Sequence, residues 1–197
     1  MSSNLDNEVM SMFAAATTTY SEAQANSGDG AQGPWPSPGD HLCSVDGMVV
    51  KRDVQKEKTS GNGDQLEIPF ISVQFSYTVK EPEDPTKTDE VDMRFTGEVF
   101  RLFTDADAKK LPTDGKRTAS RIQWERFKNH CEQLLGSPGQ PATANTNPAK
   151  DIEAINTLLA STSVLAKIRC VYREGKAKGA NQKAPIYKTE YVRERVA

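Results

Sequence analysis

Residues 68–80, IPFISVQFSYTVK, alternate cleanly over most of their length: Ile71, Val73, Phe75, Tyr77 and Val79 fall on one side of an extended chain, and Phe70, Ser72, Gln74, Ser76, Thr78 and Lys80 on the other. A period of two is what a β-strand imposes on its side chains, so this segment is a strand with one buried face and one wet face. Whatever surrounds it must bury one side of a sheet and leave the other to solvent.

The flanking segments extend the β pattern. In HLCSVDGMVV, residues 41–50, the apolar positions are out of step on either side of Gly47, as in a strand carrying a glycine bulge. Residues 51–67 read as a polar, lysine-rich loop, and EPEDPTKTDE as an acidic one. VDMRFTGEVFRLF, residues 91–103, reads as a third strand interrupted at Gly97. The period then changes to helical. Trp124, Phe127, Cys131, Leu134 and Leu135 form one stripe that Gly136 stops, with His130 at the edge of that stripe as a core histidine. A second helix starts at Asn147 as N-cap with Pro148 in its first turn, and buries Ile152, Ile155 and Leu159. The chain closes on two strands, SVLAKIRCVYR and PIYKTEYVRERV, joined by the loop EGKAKGANQKA. Ile168, Cys170 and Tyr172 are expected inside; Lys167, Arg169 and Arg173 are expected outside, with Tyr187 and Tyr191 on a shared face.

Ahead of the strands, residues 1–35 read as a partly helical or disordered arm and linker, and residues 36–197 as one folded domain. Trp35, set between two prolines, could staple the linker to that domain or stack on a ligand, and the staple is expected, since a large indole contributes mainly by burial. Three cysteines far apart with no C-x-x-C pair point to a reducing cytoplasm rather than a disulfide framework. No window approaches a membrane span and no secretory leader is seen, so a cytoplasmic protein with no membrane partner is expected. His41 with Cys43, and His130 with Cys131, lack zinc-hairpin spacing, and no metal or cofactor is expected. No P-loop, G-x-S-x-G or H-E-x-x-H motif is present, which argues against an enzyme.

The net charge of −2 conceals an asymmetry. Residues 161–197 hold nine basic against three acidic groups, a net of +6, while residues 1–160 carry 16 basic and 24 acidic groups, a net of −8. The positive field belongs to the closing hairpin.

Bulged strand, strand, strand, helical insertion, strand, strand is the order of an oligonucleotide/oligosaccharide-binding (OB) fold, a five-stranded barrel with one or two helices between strands three and four. Ligands there lie across strands two and three, between the loops joining strands one and two and strands four and five. Here both loops are rich in lysine and glycine. Phosphates need mobile cations, and bases need flat partners worth about 1–3 kcal/mol each. Phe70 on the wet face of strand two and Arg94 on strand three are candidate nucleic-acid contacts. On the closing hairpin they are Lys167, Arg169, Arg173, Tyr187 and Tyr191.

PSPGDHLCSVDGMVVKR, FISVQFSYTV, QWERFKNHCEQLLG and the terminal strand, lysine loop and strand together resemble phage-type single-stranded DNA-binding proteins with an OB fold, over roughly residues 36–195. The resemblance implies sequence-independent coating of single-stranded DNA in phage replication or recombination, inside the host cytoplasm, with replication or recombination proteins as further partners, and by position it implies DNA contacts at Lys51, Arg52, Lys56 and Lys58 of the first loop and at Lys176, Lys178 and Lys183 of the last. Many such proteins end in an acidic tail that recruits those partners, whereas this chain ends YVRERVA after a strand, so recruitment by a tail is not expected. Monomer and homodimer are equally compatible with the sequence. The competing reading is a virion, assembly or protein-interaction module, in which the lysines only keep a structural OB domain soluble.

Overall fold

A computed structural model describes residues 34–58, 65–175 and 186–196. The protein is mainly β. Strands β1 (Gly39–Lys58), β2 (Gln65–Glu81), β3 (Arg94–Thr96), β4 (Phe100–Leu102), β5 (Val164–Glu174) and β6 (Ile186–Arg195) make one six-stranded sheet. Every pairing is antiparallel, and the order is β3-β2-β1-β5-β6, with β4 also paired to β2. Helices α1 (Asp105–Ala108), α2 (Asp114–Leu135) and α3 (Pro148–Ser161) lie between β4 and β5.

Three expectations change. The sheet is not closed: no ladder joins β6 to the β3–β4 edge among the described residues, and six strands replace the expected five. The expected third strand is broken into β3, which pairs with Ser76–Thr78, and β4, which pairs with Ile71–Val73. Between them the chain turns through Gly97, and the Gly97 carbonyl accepts the Gln74 side-chain amide at 2.9 Å. Finally, residues 51–58 and 65–67 are strand rather than loop. β1 continues to Lys58 in register with β2, Lys51 opposite Ser72 and Lys56 opposite Glu67. Beyond Val45 its other edge has no strand partner among the described residues, and past Arg52, where β2 also leaves β4, the two strands run on alone as an arm whose β1 residues are mostly polar on both faces.

The expected bulge is present, with a register shift between Val45 and Gly47 that leaves Asp46 as the extra residue. Its carboxylate accepts hydrogen bonds from the Ser44 hydroxyl at 2.7 Å and the Thr78 hydroxyl at 2.5 Å. The inward face of β2 meets α2 and α3 in one core containing Phe75, Tyr77, Phe100, Trp124, Phe127, Ile152, Ile155 and Ile168. Asn147 caps α3 by accepting the Ala149 N–H at 3.0 Å. α2 ends at Gly136, whose φ of −70° is open to any residue. The glycine is required there because a Cβ would overlap the Gln140 carbonyl. Trp35 is buried against Phe95, ring centroids 5.1 Å apart, and the Tyr172 hydroxyl donates to the Pro36 carbonyl at 2.9 Å. The segment before β1 is thereby stapled to the sheet. No helix among the described residues is long and apolar enough to cross a membrane.

Candidate nucleic-acid interface

Strand pairing sorts the candidate cations by face. Outward side chains of β2 define the wet face, and their partners share it: Lys51 and Arg101 flank Ser72 from β1 and β4, and Arg94 of β3 lies beside Thr78. Lys51, Arg94 and Arg101 are exposed, and among the described residues none of the three has an ion pair. Ser72, Gln74, Ser76 and Thr96 fill the space between them with hydroxyl and amide groups. Arg101 is braced over the Phe70 ring, 5.8 Å from its centroid. Sequence reading missed Arg101, although Phe100 and Leu102 on either side are both buried and the alternation places Arg101 outward.

At its lower end this face opens into a groove of about 1200 Å³ between the sheet and the C-terminal end of α3, with Lys80, Asp92 and Arg94 on its rim. Lys80 is paired with Asp92 at 2.9 Å, which leaves Arg94 as the uncompensated cation there.

The arm separates residues expected to act together. Lys51 shares the wet face, whereas Arg52 and Lys56 alternate with it onto the opposite side, and Lys56 is paired with Glu67 at 3.3 Å. Lys58 has the same parity as Lys56 at the end of the strand; its side chain lies outside the described set. On the same face as Lys51, Glu57 holds the Lys116 ammonium at 2.5 Å, and that bond lowers the Glu57 pKa. This tethers the arm to the first turn of α2.

Phe70 is corrected. Its backbone parity is outward, but the ring is only 4% exposed, packed with Ile68, Phe103 and Leu111 in a second small core. The chain after β4 folds back over this end of the sheet, with Phe70 and Phe103 centroids 5.2 Å apart. The ring is not presented as a stacking surface.

On the closing hairpin, Arg169 stands opposite Tyr191 and Arg173 opposite Tyr187, all four on one face. Tyr187 is 38% exposed and Arg173 is exposed without an ion pair among the described residues. Tyr191 is half-buried beneath the Arg126 guanidinium, 5.4 Å from its ring centroid, and its hydroxyl is buried. Lys167 is bonded to Glu194 at 2.6 Å, which raises its pKa, and Arg169 is paired with Asp40 at 3.2 Å. The cations best placed for an incoming anion are thus Lys51, Arg94, Arg101 and Arg173. Lys176, Lys178 and Lys183 lie outside the described residues. The first loop and this hairpin leave the sheet at opposite ends of β1, since Gly39 pairs with Cys170 while Lys58 pairs with Gln65.

Among the described residues no cluster of His, Cys, Asp and Glu has the makings of a metal site. Both histidines have structural partners. His41 Nε2 lies 2.7 Å from the Ser37 carbonyl, and His130 Nδ1 lies 3.1 Å from that of Arg126. No family model, curated protein or solved structure matches the chain.

Proposed function

We propose that this protein binds single-stranded DNA without reading its sequence, as an OB-type coating protein of phage replication or recombination, and that it carries out no chemistry of its own. The observation that carries the reading is the set of uncompensated cations, Lys51, Arg94 and Arg101, spread over one polar sheet face. A mobile cation with no carboxylate partner costs little to bring to a phosphate and releases a counterion when it arrives. Two further features support it. The order β3-β2-β1-β5-β6 with helices before β5 matches an OB sheet whose last closure is missing. Arg173 and Tyr187, side by side on the closing hairpin, offer a phosphate contact next to a ring on which a base can stack.

A protein-interaction or assembly module is the second reading. It is favoured by the burial of Phe70, which leaves the β2–β3–β4 face without an exposed aromatic among the described residues. Fluorescence anisotropy with labelled oligo-dT, a duplex and an RNA of equal length separates the two. The DNA reading expects binding of oligo-dT at low salt that weakens steeply as salt rises. Absence of oligo-dT binding would leave the module reading, and equal affinity for duplex would reduce the interface to a general cationic surface.

A further inference from the structure

Where β6 faces the β3–β4 edge, a buried polar cluster stands in place of a ladder. Glu98, Arg126, His130 and Glu190 are each at most 1% exposed. Arg126, from α2, contacts the Glu98 carboxylate and donates to the Glu190 carbonyl at 3.2 Å. Glu190 Oε2 accepts the Glu98 backbone N–H at 3.0 Å, so a side chain supplies a hydrogen bond that a paired strand would have made.

The imidazole decides the remaining proton. His130 Nδ1 faces the Arg126 carbonyl, which can only accept, so Nδ1 carries the hydrogen and Nε2 a lone pair. Nε2 and Glu190 Oε1 lie 3.8 Å apart, and each is buried without a hydrogen-bond partner. A proton on Oε1 would satisfy both after a small closure.

We propose that Glu190 and His130 share a single proton, carried on Glu190 Oε1 and directed to His130 Nε2, so that a neutral pair fastens β6 at the open seam of the sheet. Among the groups facing Glu190, Arg126 favours its ionised form, and burial outweighs it. Arg126 and His130 approach from α2, and Glu98, already paired with Arg126, from the β3–β4 turn. Tyr77 of β2, Cys170 of β5 and Cys43 of β1 are buried groups whose ionisation is pushed up, so they stay neutral. Burial, then Arg126, holds His130 down to about 3, and burial pushes Glu190 up to about 7.

The consequence is a proton balance. Unfolded, the pair holds two protons below about pH 4.5, one up to about 6.5 and none above. Folded, with burial holding His130 down and pushing Glu190 up, it holds one across the span between the two unfolded values. Between about pH 4.5 and 6.5 the two states carry the same number, so the pair contributes no pH slope to stability there.

Each substitution alone exposes one slope. Glu190→Gln leaves His130, whose lowered value makes its contribution full above about 6.5 and lost as pH falls. His130→Gln leaves Glu190, whose raised value makes its contribution full below about 4.5 and lost as pH rises. Urea unfolding of the full chain at pH 4.5, 5.5 and 6.5 reads this, each variant's folding constant divided by that of the unsubstituted protein. The expected ratio climbs up to tenfold per pH unit for Glu190→Gln and falls up to tenfold for His130→Gln. Ratios with slopes of the same sign, or both flat, would overturn the proposal. Should either variant not fold, NMR of the unsubstituted protein decides. A neutral Nδ1–H tautomer at His130 with a protonated Glu190 carboxyl at pH 5.5 supports the shared proton, and an imidazolium or an ionised Glu190 removes it.

Discussion

The Glu190 carboxyl group rests directly on the α-carbon of Gly97: a Cβ at that position would overlap Oε1 and Cδ of Glu190 and press on Tyr77 Cε2 at 3.2 Å. The glycine that interrupts the third strand is therefore there for space, and it admits the group that ties β6 to the Glu98 amide. Gly97→Ala is expected to destabilise the protein by about 2–4 kcal/mol, since overpacking is added to the loss of a buried hydrogen bond. Thr96→Ala, at the neighbouring exposed position, should cost less than about 1 kcal/mol. Urea denaturation of both variants measures the difference, and equal midpoints would show that the Glu190 side chain moves aside freely.

The uncompensated cations lead to a salt experiment. If Lys51, Arg94 and Arg101 each meet a phosphate, replacing any one by Ala should lower the slope of log K against log salt for oligo-dT by about 0.7, and the triple variant by about 2. Lys56→Ala is the control, because Glu67 already holds that ammonium at 3.3 Å. A triple variant with an unchanged slope would remove this face from the binding surface.

Phe70 and Tyr187 were expected to play one role, and the structure separates them. Phe70→Ala should cost about 3–4 kcal/mol of stability by opening a cavity among Ile68, Phe103 and Leu111, while the folded protein keeps its affinity for oligo-dT. Tyr187→Ala should leave stability within about 0.5 kcal/mol and weaken oligo-dT binding by about 1–3 kcal/mol. Denaturation and anisotropy on the same two variants test both halves. Loss of affinity in folded Phe70→Ala would restore that ring as a contact.

These outcomes mark what local sequence can carry. The alternation at residues 71–79 was legible because one side meets the core and the other meets water, so composition itself records the face. Residues 51–58 form the same kind of strand but have polar residues on both faces, and a period of two then leaves no contrast to read. Phe70 kept its outward parity, and its burial comes from Phe103 and Leu111, more than 30 positions away. The seam was beyond local reading altogether. Glu98, Arg126 and Glu190 come from three separate elements, and no spacing links them. By contrast, His130 could be read as a core histidine because Trp124, Phe127, Cys131 and Leu134 mark the buried stripe of its helix.

Trp35 gives the last test, of how the segment before β1 is fastened. Its ring lies 5.1 Å from Phe95 by centroid and is 7% exposed, while Tyr172 binds the next carbonyl, that of Pro36, at 2.9 Å. The Ser37 N–H is held as well, by Glu90 Oε1 at 2.9 Å. Three anchors on consecutive residues fasten the segment to β3, β5 and the turn before β3. Trp35→Ala should therefore cost about 3–5 kcal/mol, as for a large aromatic removed from a core. Tyr172→Phe, which loses the hydroxyl alone, should cost about 0.5–1.5 kcal/mol. Thermal unfolding of the two variants distinguishes a structural staple from a ligand contact. A Trp35→Ala protein of unchanged stability would return the indole to the list of stacking surfaces.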